Sequence, residues 1–253
     1  MKKMKKNTFT IRKIIGIGLS LLFLLSLVSA TKWANYREYF ILKKVTISGN
    51  NILTKEDYQK IVSGFKVQSI NDYKLRRISN KIEENPFVKA VQVSRQFPNV
   101  IEINIVERKP LAIINLDEKL MIDNDAFILP NHKYSDSALI PVLSGFNPAK
   151  ELYPYGEMTF SIKVKEAIYI LNQLSKSYNK LYNNISEITL NNNDDYVIIL
   201  SDRPTKVILG KKNILTKLNI LKIFDKSLGQ RQLTDFRLLD MRYNKQLVAR
   251  EWT

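Results

Sequence analysis

Residues 85–110 read NPFVKAVQVSRQFPNVIEINIVERKP, and the alternation within this stretch determines the fold of the first globular region. In 88–95 the apolar side chains recur on one face, and in 100–107 isoleucines stand at 101, 103 and 105. That spacing of two is typical of β-strands with one buried face. Gln96-Phe97-Pro98-Asn99 between them predicts a hairpin loop.

The residues before this hairpin predict one more strand and two helices. Residues 40–48 alternate as a strand, and Gly49-Asn50-Asn51 is a turn signal. Thr54, three residues before Asp57, predicts a helix start with a capping box, and Gly64 predicts its end. Apolar residues at helical spacing predict a second helix over 71–85, which Pro86 stops. The predicted order is strand, helix, helix, strand, strand.

After Pro110 the pattern changes to short strands interrupted by two amphipathic helices. The helices are predicted over 162–181 and 214–228 from their apolar stripes. Together these elements predict a curved sheet with helices against it, and so an α+β protein. The predicted strands cover 112–115, 120–122, 185–190, 196–200, 206–209, 236–241 and 247–250.

The N-terminal region has the pattern of a membrane anchor. Residues 14–31 carry no charge, and a helix of that length reaches about 27 Å, close to the hydrocarbon thickness of a bilayer. Residues 1–13 contain six lysines and arginines and no acid, which predicts a cytoplasmic basic tail. Representative residues of the predicted anchor are Ile14, Leu22, Leu25, Val28 and the interfacial Trp33.

A cleaved signal peptide is the alternative for this region. Val28-Ser29-Ala30 has small residues where a signal peptidase cuts, but the apolar run exceeds the usual ~7–15 residues of a signal core. We therefore expect an uncleaved anchor. Both alternatives place residues 32–253 outside the cytoplasm.

Composition limits the classes of function. The chain has no cysteine, which excludes disulfides, thiol catalysis and thiolate metal sites. The net charge is +16, six of it in the first 13 residues, and the rest is spread without a dense basic block. A basic nucleic-acid-binding protein would need a cytoplasmic domain, so we expect no nucleic-acid partner.

No sequence motif for a catalytic or metal-binding site is complete. His132 is the only histidine, so common ligand sets cannot be completed. Asp123-Asn124-Asp125 begins like a calcium loop but lacks the glycine and the terminal glutamate, and it predicts a turn. No phosphate-binding glycine loop or nucleophile elbow occurs. We expect no enzyme activity and no cofactor.

Six short motifs, in order after the apolar span, resemble the FtsQ/DivIB family of bacterial cell-division proteins over residues 14–250. The resemblance implies a POTRA domain over 40–109 and an FtsQ-type β domain over 110–253. It also implies a single-pass, type II scaffold of the plasma (inner) membrane at the division septum. The motifs are VTISGN (45–50), NPFVKAVQV (85–93), PNVIEI with VERKP (98–110), IDND (122–125), IPVLSG (140–145) and LDMRY (239–243).

The resemblance implies partners and a binding region. Family members bind FtsB/DivIC-like and FtsL-like coiled-coil proteins and help to control septal peptidoglycan synthesis, and the last strand captures FtsB. The corresponding partner-binding residues here are Arg242, Tyr243, Leu247 and Val248. Arginine and tyrosine are enriched at interface hot spots, and an exposed last strand can pair with a partner strand.

One departure and one alternative accompany the resemblance. Asp194-Asp195 stands where some members place arginines that contribute to FtsB binding, so no role is carried to that loop. The alternative function is a POTRA-containing component of a protein export or outer-membrane assembly machine. That class usually continues into a β-barrel, and the residues after Pro110 lack a run of ~10-residue amphipathic strands.

Overall fold

The computed structural model describes residues 4–63, 69–131, 140–243 and 246–252. Gly64, the predicted helix end, and His132 lie outside these ranges. The described residues belong to two compact units. The first contains residues 1–50, 54–82 and 91–105; the second contains 51–53, 83–90 and 106–253. The α+β fold class is confirmed.

Helix α1 spans Met4–Tyr36 and contains the predicted anchor. Within the described part of the chain, Arg12–Tyr36 is the one helix that is long and apolar enough to cross a membrane. Ile14, Leu22, Leu25, Val28 and Trp33 are all exposed, so none of them packs into a protein core. This exposure is what a lipid-facing helix requires and a soluble core helix lacks.

The first globular unit has the predicted order of strand, helix, helix, strand, strand. The elements are β1 (Lys44–Ser48), α2 (Lys55–Val62), α3 (Leu75–Glu83), β2 (Val88–Gln96) and β3 (Val100–Glu107). The sheet order is β1-β3-β2, and β1 runs parallel to β3 with Val45 opposite Ile101. The alternating isoleucines of β3 are buried, and so are Tyr58, Ile78 and Ile82 of the helices.

Two local features of this unit follow from its sequence. The Thr54 hydroxyl accepts from the Asp57 N–H, and the Asp57 carboxylate accepts from the Thr54 N–H, which completes the predicted capping box. Gly49 has φ +82°, and a Cβ there would lie 1.9 Å from the Ile105 carbonyl oxygen. Only glycine fits that position.

The second helix of this unit, predicted over 71–85, is shorter in the structure and spans Leu75–Glu83. The predicted start at residue 71 was wrong. Residues Ile70–Asp72 form a 3₁₀ turn, and Tyr73 is extended before α3 begins at Leu75. The Arg95 guanidinium donates to the carbonyl oxygens of Ile70 at 2.9 Å and Tyr73 at 2.6 Å. These tertiary hydrogen bonds hold the chain outside the helical conformation that its apolar spacing predicted.

The second unit is built on a nine-stranded sheet. Its strands are β4 (Pro110–Asn115), β5 (Lys119–Asp123), β6 (Ile128–Leu129), β7 (Val142–Ser144), β8 (Ile185–Leu190), β9 (Tyr196–Leu200), β10 (Lys206–Gly210), β11 (Phe236–Asp240) and β12 (Val248–Glu251). The spatial order is β12-β11-β10-β9-β8-β7-β4-β5-β6. Four of the strand pairs contain register shifts, which bend strands and curve a sheet. Strands β6 and β7 were not predicted.

Helices α4 (Ile162–Ser177), α5 (Asn179–Tyr182) and α6 (Ile214–Ser227) accompany this sheet. Helices α4 and α6 contact each other and share one continuous core with the strands. The helix predicted over 162–181 is divided at Tyr178, whose backbone leaves the helical region. The Tyr178 hydroxyl donates to Asp225 of α6 at 2.7 Å, so a tertiary contact accompanies the break.

Candidate functional site: the β12 edge and the residues before it

Strand β12 lies at one end of the nine-stranded sheet. It pairs antiparallel with β11, placing Ala249 opposite Leu239 and Val248 opposite Asp240. All four of its residues are exposed, and no strand among the described residues pairs with its other side. A strand with one unpaired side presents backbone N–H and C=O groups to which another chain can add.

Contacts beyond the ladder hold β12 in place. The Arg231 guanidinium lies 2.8 Å from the Glu251 carboxylate and stacks on the Phe236 ring at 4.6 Å. Just after the strand, the Trp252 indole N–H donates to the Thr234 carbonyl oxygen at 3.0 Å. The free edge is therefore ordered before any partner arrives, which lowers the entropy lost on binding.

The opposite edge of the sheet is covered. Strand β6 has only two residues, and the Ile128 N–H donates to the Glu157 carbonyl oxygen at 2.8 Å. In return, the Gly156 N–H donates to the Ile128 carbonyl oxygen at 2.9 Å. Because a neighbouring segment uses the groups of that edge, the two ends of the sheet differ in their capacity to add a strand.

Tyr243 and Arg242 follow β11 and have different surroundings. Tyr243 is 55% exposed. Arg242 donates two hydrogen bonds to the Asp240 carboxylate, from Nε at 3.0 Å and from Nη2 at 2.6 Å. Its Nη1 lies 3.6 Å from the Asp195 carboxylate. The arginine predicted to face a partner thus already has two carboxylates within its own unit, while the tyrosine is open to solvent.

The arginine belongs to a four-charge cluster around Gly210. Lys217 on α6 donates to the Leu209 carbonyl oxygen at 2.6 Å. A Cβ on Gly210, which has φ +79°, would lie 3.2 Å from Lys217 Nζ and 3.3 Å from Arg242 Cγ. The Asp240 and Asp195 carboxylates complete the cluster. Two acids and two cations give it no net charge.

The electrostatic effects in this cluster have identifiable causes. The hydrogen bonds from Arg242 hold the pKa of Asp240 below its ordinary value, although burial opposes them. Burial lowers the pKa of Lys217, and the Coulomb attraction of Asp195 and Asp240 partly offsets that effect. Charge-assisted hydrogen bonds between Arg242 and Asp240 hold the end of β11.

Leu247 and Val248, the other two predicted partner-binding residues, also differ from each other. Leu247 is partly buried and packs against the main core of the unit. Val248 is the first residue of β12 and is exposed. All four predicted residues thus lie at one corner of the sheet, but only Tyr243 and Val248 present apolar surface to solvent there.

Sequence reasoning did not find Asp195, Lys217 and Asp240 as neighbours of Arg242. The acidic pair Asp194-Asp195 departs from the family pattern, but that departure does not indicate an ion pair with Arg242. Asp240 is only two residues from Arg242, but Asp195 precedes β9 and Lys217 lies on α6, so only the fold brings these two side chains to the pair.

The Asp123-Asn124-Asp125 stretch is a structural turn. The buried Asp123 carboxylate accepts from the N–H groups of Asp125 at 2.9 Å and Phe127 at 2.8 Å. It also accepts from Arg108 Nη1 at 2.7 Å, and that guanidinium stacks on the Phe127 ring at 3.6 Å. Among the described residues, no group of three or more potential metal-ligating His, Asp or Glu side chains occurs.

Comparisons with known proteins agree across almost the whole chain. The model of the POTRA domain, FtsQ-type, matches residues 40–108, and the model of the FtsQ/DivIB C-terminal related region matches residues 109–250. The chain is 24% identical to the cell division protein FtsQ of Syntrophotalea carbinolica over 84% of this chain and 74% of that protein. It is 27% identical to the cell division protein DivIB of Bacillus anthracis over 99% of this chain and 88% of that protein.

The family models follow each other without a gap, and the second alone spans more than half of the chain. In this chain the POTRA match follows the apolar helix α1 and precedes the match to the C-terminal region, which is the order that the motifs predicted. The chain therefore belongs to the FtsQ/DivIB family of cell-division proteins.

Proposed function

We propose that this protein is a non-catalytic scaffold of the cell-division machinery. It binds FtsB/DivIC-like and FtsL-like membrane proteins and helps to control septal peptidoglycan synthesis. One observation carries the proposal: β12 is an ordered edge strand with an unpaired side, and the exposed Tyr243 lies just before it in the chain. A partner strand that extends the sheet here gains backbone hydrogen bonds, and the tyrosine supplies an aromatic anchor.

Arg242 has a supporting role in this proposal. Its guanidinium binds Asp240 and Asp195, yet its side chain remains 40% exposed. Because an arginine carries five N–H donors, it can keep these carboxylates and still donate to a partner. Leu247 supports the strand from the core side, and Val248 offers a small apolar contact at its start.

The proposal includes a topology. Residues 1–13 lie in the cytoplasm, residues 14–31 cross the plasma (inner) membrane as an uncleaved anchor, and the POTRA domain (40–109) and the β domain (110–253) lie outside at the septum. The basic tail and the exposed apolar surface of α1 support this orientation.

Calorimetric titration tests the scaffold function. The full chain, held in phosphatidylcholine nanodiscs, is titrated with the extracytoplasmic segment of the FtsB/DivIC-like protein from the same organism. We expect saturable binding with a negative heat-capacity change, because the interface buries apolar surface. A flat titration at micromolar concentrations would contradict the proposal.

A further inference from the structure

The stretch that leads into α4 reverses the usual relation between hydrophobicity and burial. Met158, Phe160 and Ile162 are 44%, 60% and 71% exposed, whereas Thr159 and Ser161 between them are 0% and 7% exposed. Alternation of this kind normally places the apolar residues inside. Here the extended chain points its largest apolar side chains into solvent and its hydroxyls into the protein.

Hydrogen bonds specify this orientation. The Thr159 N–H donates to the Ala126 carbonyl oxygen at 2.9 Å, and the Phe160 N–H donates to the Leu152 carbonyl oxygen at 2.8 Å. The Thr159 hydroxyl donates to the same Leu152 oxygen at 2.8 Å, and the Ser161 hydroxyl caps α4. A shift by one residue would break these bonds, so the outward apolar side chains are a built feature of the surface.

The exposed apolar surface extends in two directions. Along α4, Tyr169 lies two turns beyond Ile162 on the same face and is half-exposed. We call Met158, Phe160, Ile162 and Tyr169 the apolar ridge. The carbonyl oxygen of Leu152 accepts the hydrogen bond from the Phe160 N–H of the ridge. The next residue, Tyr153, lines a cleft of about 230 Å³. Leu116, Leu120 and Tyr155 also line this cleft.

Acidic side chains flank the ridge and the cleft. Glu157 precedes Met158, Glu151 precedes Leu152, and Asp117 and Glu118 line the cleft together with Lys150. No cation of the described residues forms an ion pair with Glu151, Glu157 or Asp117. Lys163 on α4 pairs with Glu166 at 3.5 Å. The acids Asp117, Glu118, Glu151 and Glu157 outnumber the other cations near the ridge and the cleft, which are Lys119, Lys150 and Lys165. In a chain of net charge +16, this local excess of acid beside an apolar surface favours a cationic partner and disfavours anionic lipid.

We propose that the apolar ridge and the adjoining cleft dock a protein segment that carries apolar side chains flanked by lysine or arginine. An apolar side chain of that segment enters the cleft, its neighbours cover Phe160 and Ile162, and its cations approach Glu151 and Glu157. This surface lies beside the covered β6 edge of the sheet, at the other end from β12. The proposal does not depend on partner binding at β12.

Site-specific photocrosslinking tests it. The full chain is produced in its own cells with p-benzoylphenylalanine in place of Phe160, and the adducts are identified by mass spectrometry. The matched control carries the same probe in place of Ile223, another exposed apolar residue, on α6. We expect an adduct at least tenfold more abundant than at position 223, on a protein segment with an excess of lysine and arginine. Adducts on phospholipid or on a second copy of this chain, or none above the control, would overturn the proposal.

Charge reversal and salt provide the second arm. Glu151→Lys combined with Glu157→Lys should lower the yield of the adduct at least tenfold. Glu84→Lys combined with Asp202→Lys makes the same change of charge at exposed acids elsewhere and should leave the yield unchanged. On the chain without charge reversals, crosslinking after washing membranes in 0.5 M salt should also give less adduct than in 0.15 M salt. Insensitivity to both changes would refute a cationic partner.

Discussion

Tyr243 offers an exposed aromatic side chain beside the free edge of β12. We predict that Tyr243→Ala weakens binding of the FtsB/DivIC-like segment about 30-fold, because a central aromatic anchor contributes about 2 kcal/mol. The melting temperature should stay within a few degrees of the unmodified chain, since the side chain is not part of a core. Calorimetric titration and thermal unfolding measure the two effects.

Tyr39→Ala is the control for this substitution, because Tyr39 is about equally exposed but lies in the other compact unit. It should leave affinity unchanged. If Tyr243→Ala binds as tightly as the unmodified chain, or if it unfolds many degrees lower, the tyrosine is a structural residue and the proposed site moves elsewhere.

Asp240 supports the same corner through its ion pair with Arg242, and its stabilisation should depend on pH. Its pKa in the folded protein lies below the ordinary value, so the contribution is complete above about pH 5 and is lost as pH falls through the folded pKa. We predict that Asp240→Asn lowers the free energy of unfolding by roughly 2 kcal/mol at pH 7, as expected for a charge-assisted hydrogen bond. The difference should shrink below about pH 4.

Denaturant unfolding of both chains from pH 7 down to pH 3 measures this dependence. Asp202→Asn is the control, because Asp202 is exposed and forms no ion pair with the described residues. A loss for Asp240→Asn that is constant across this range would show that hydrogen-bond acceptance by the second oxygen, not the charge, is what Asp240 contributes.

Proline substitutions in β12 test whether a partner strand pairs with the free edge of the sheet. Along an edge strand, successive N–H groups alternate between the neighbouring strand and solvent. Of the two variants Ala249→Pro and Arg250→Pro, one therefore removes an N–H that donates to β11, and the other removes an N–H that faces solvent and could donate to a partner strand. We predict that one variant lowers the melting temperature, while the other keeps it and weakens binding at least fivefold.

Proline at Leu247 is less suitable for this test, since Leu247 packs against the core and the change would also remove apolar contacts. Thermal unfolding and calorimetric titration of both edge variants distinguish the two roles. If neither variant alters affinity, the partner does not extend the sheet at β12.

For the whole molecule, we predict that the N-terminal apolar segment is not cleaved from the globular regions. The apolar span is longer than a signal core, and the helix continues to Tyr36. We predict that the protein extracted from membranes keeps residues 30 and 31 joined. Intact-mass spectrometry, with a tryptic peptide covering residues 14–32, checks this. A mature N-terminus at Thr31 would show that the segment is a cleaved signal.

Several features of this protein were readable from the sequence because their causes act over a few residues. The alternating isoleucines of β3 and the capping box of Thr54 and Asp57 depend on neighbours within a few residues, and the uncharged 14–31 span is one continuous run in the sequence. The family motifs added the order of the domains. These local patterns suffice to determine the fold class.

Only the tertiary structure decided which edge of the sheet is free and which side chains meet there. Arg242 binds Asp195 because β9 and β11 are brought to one corner, and no local period records that approach. Tyr73, which lies outside the helix predicted for it, accepts a hydrogen bond from Arg95. Tyr178, where the other predicted helix is divided, donates one to Asp225. The outward apolar ridge likewise depends on carbonyl groups of Ala126 and Leu152, which override the local hydrophobic pattern because long-range hydrogen bonds fix the register of the chain.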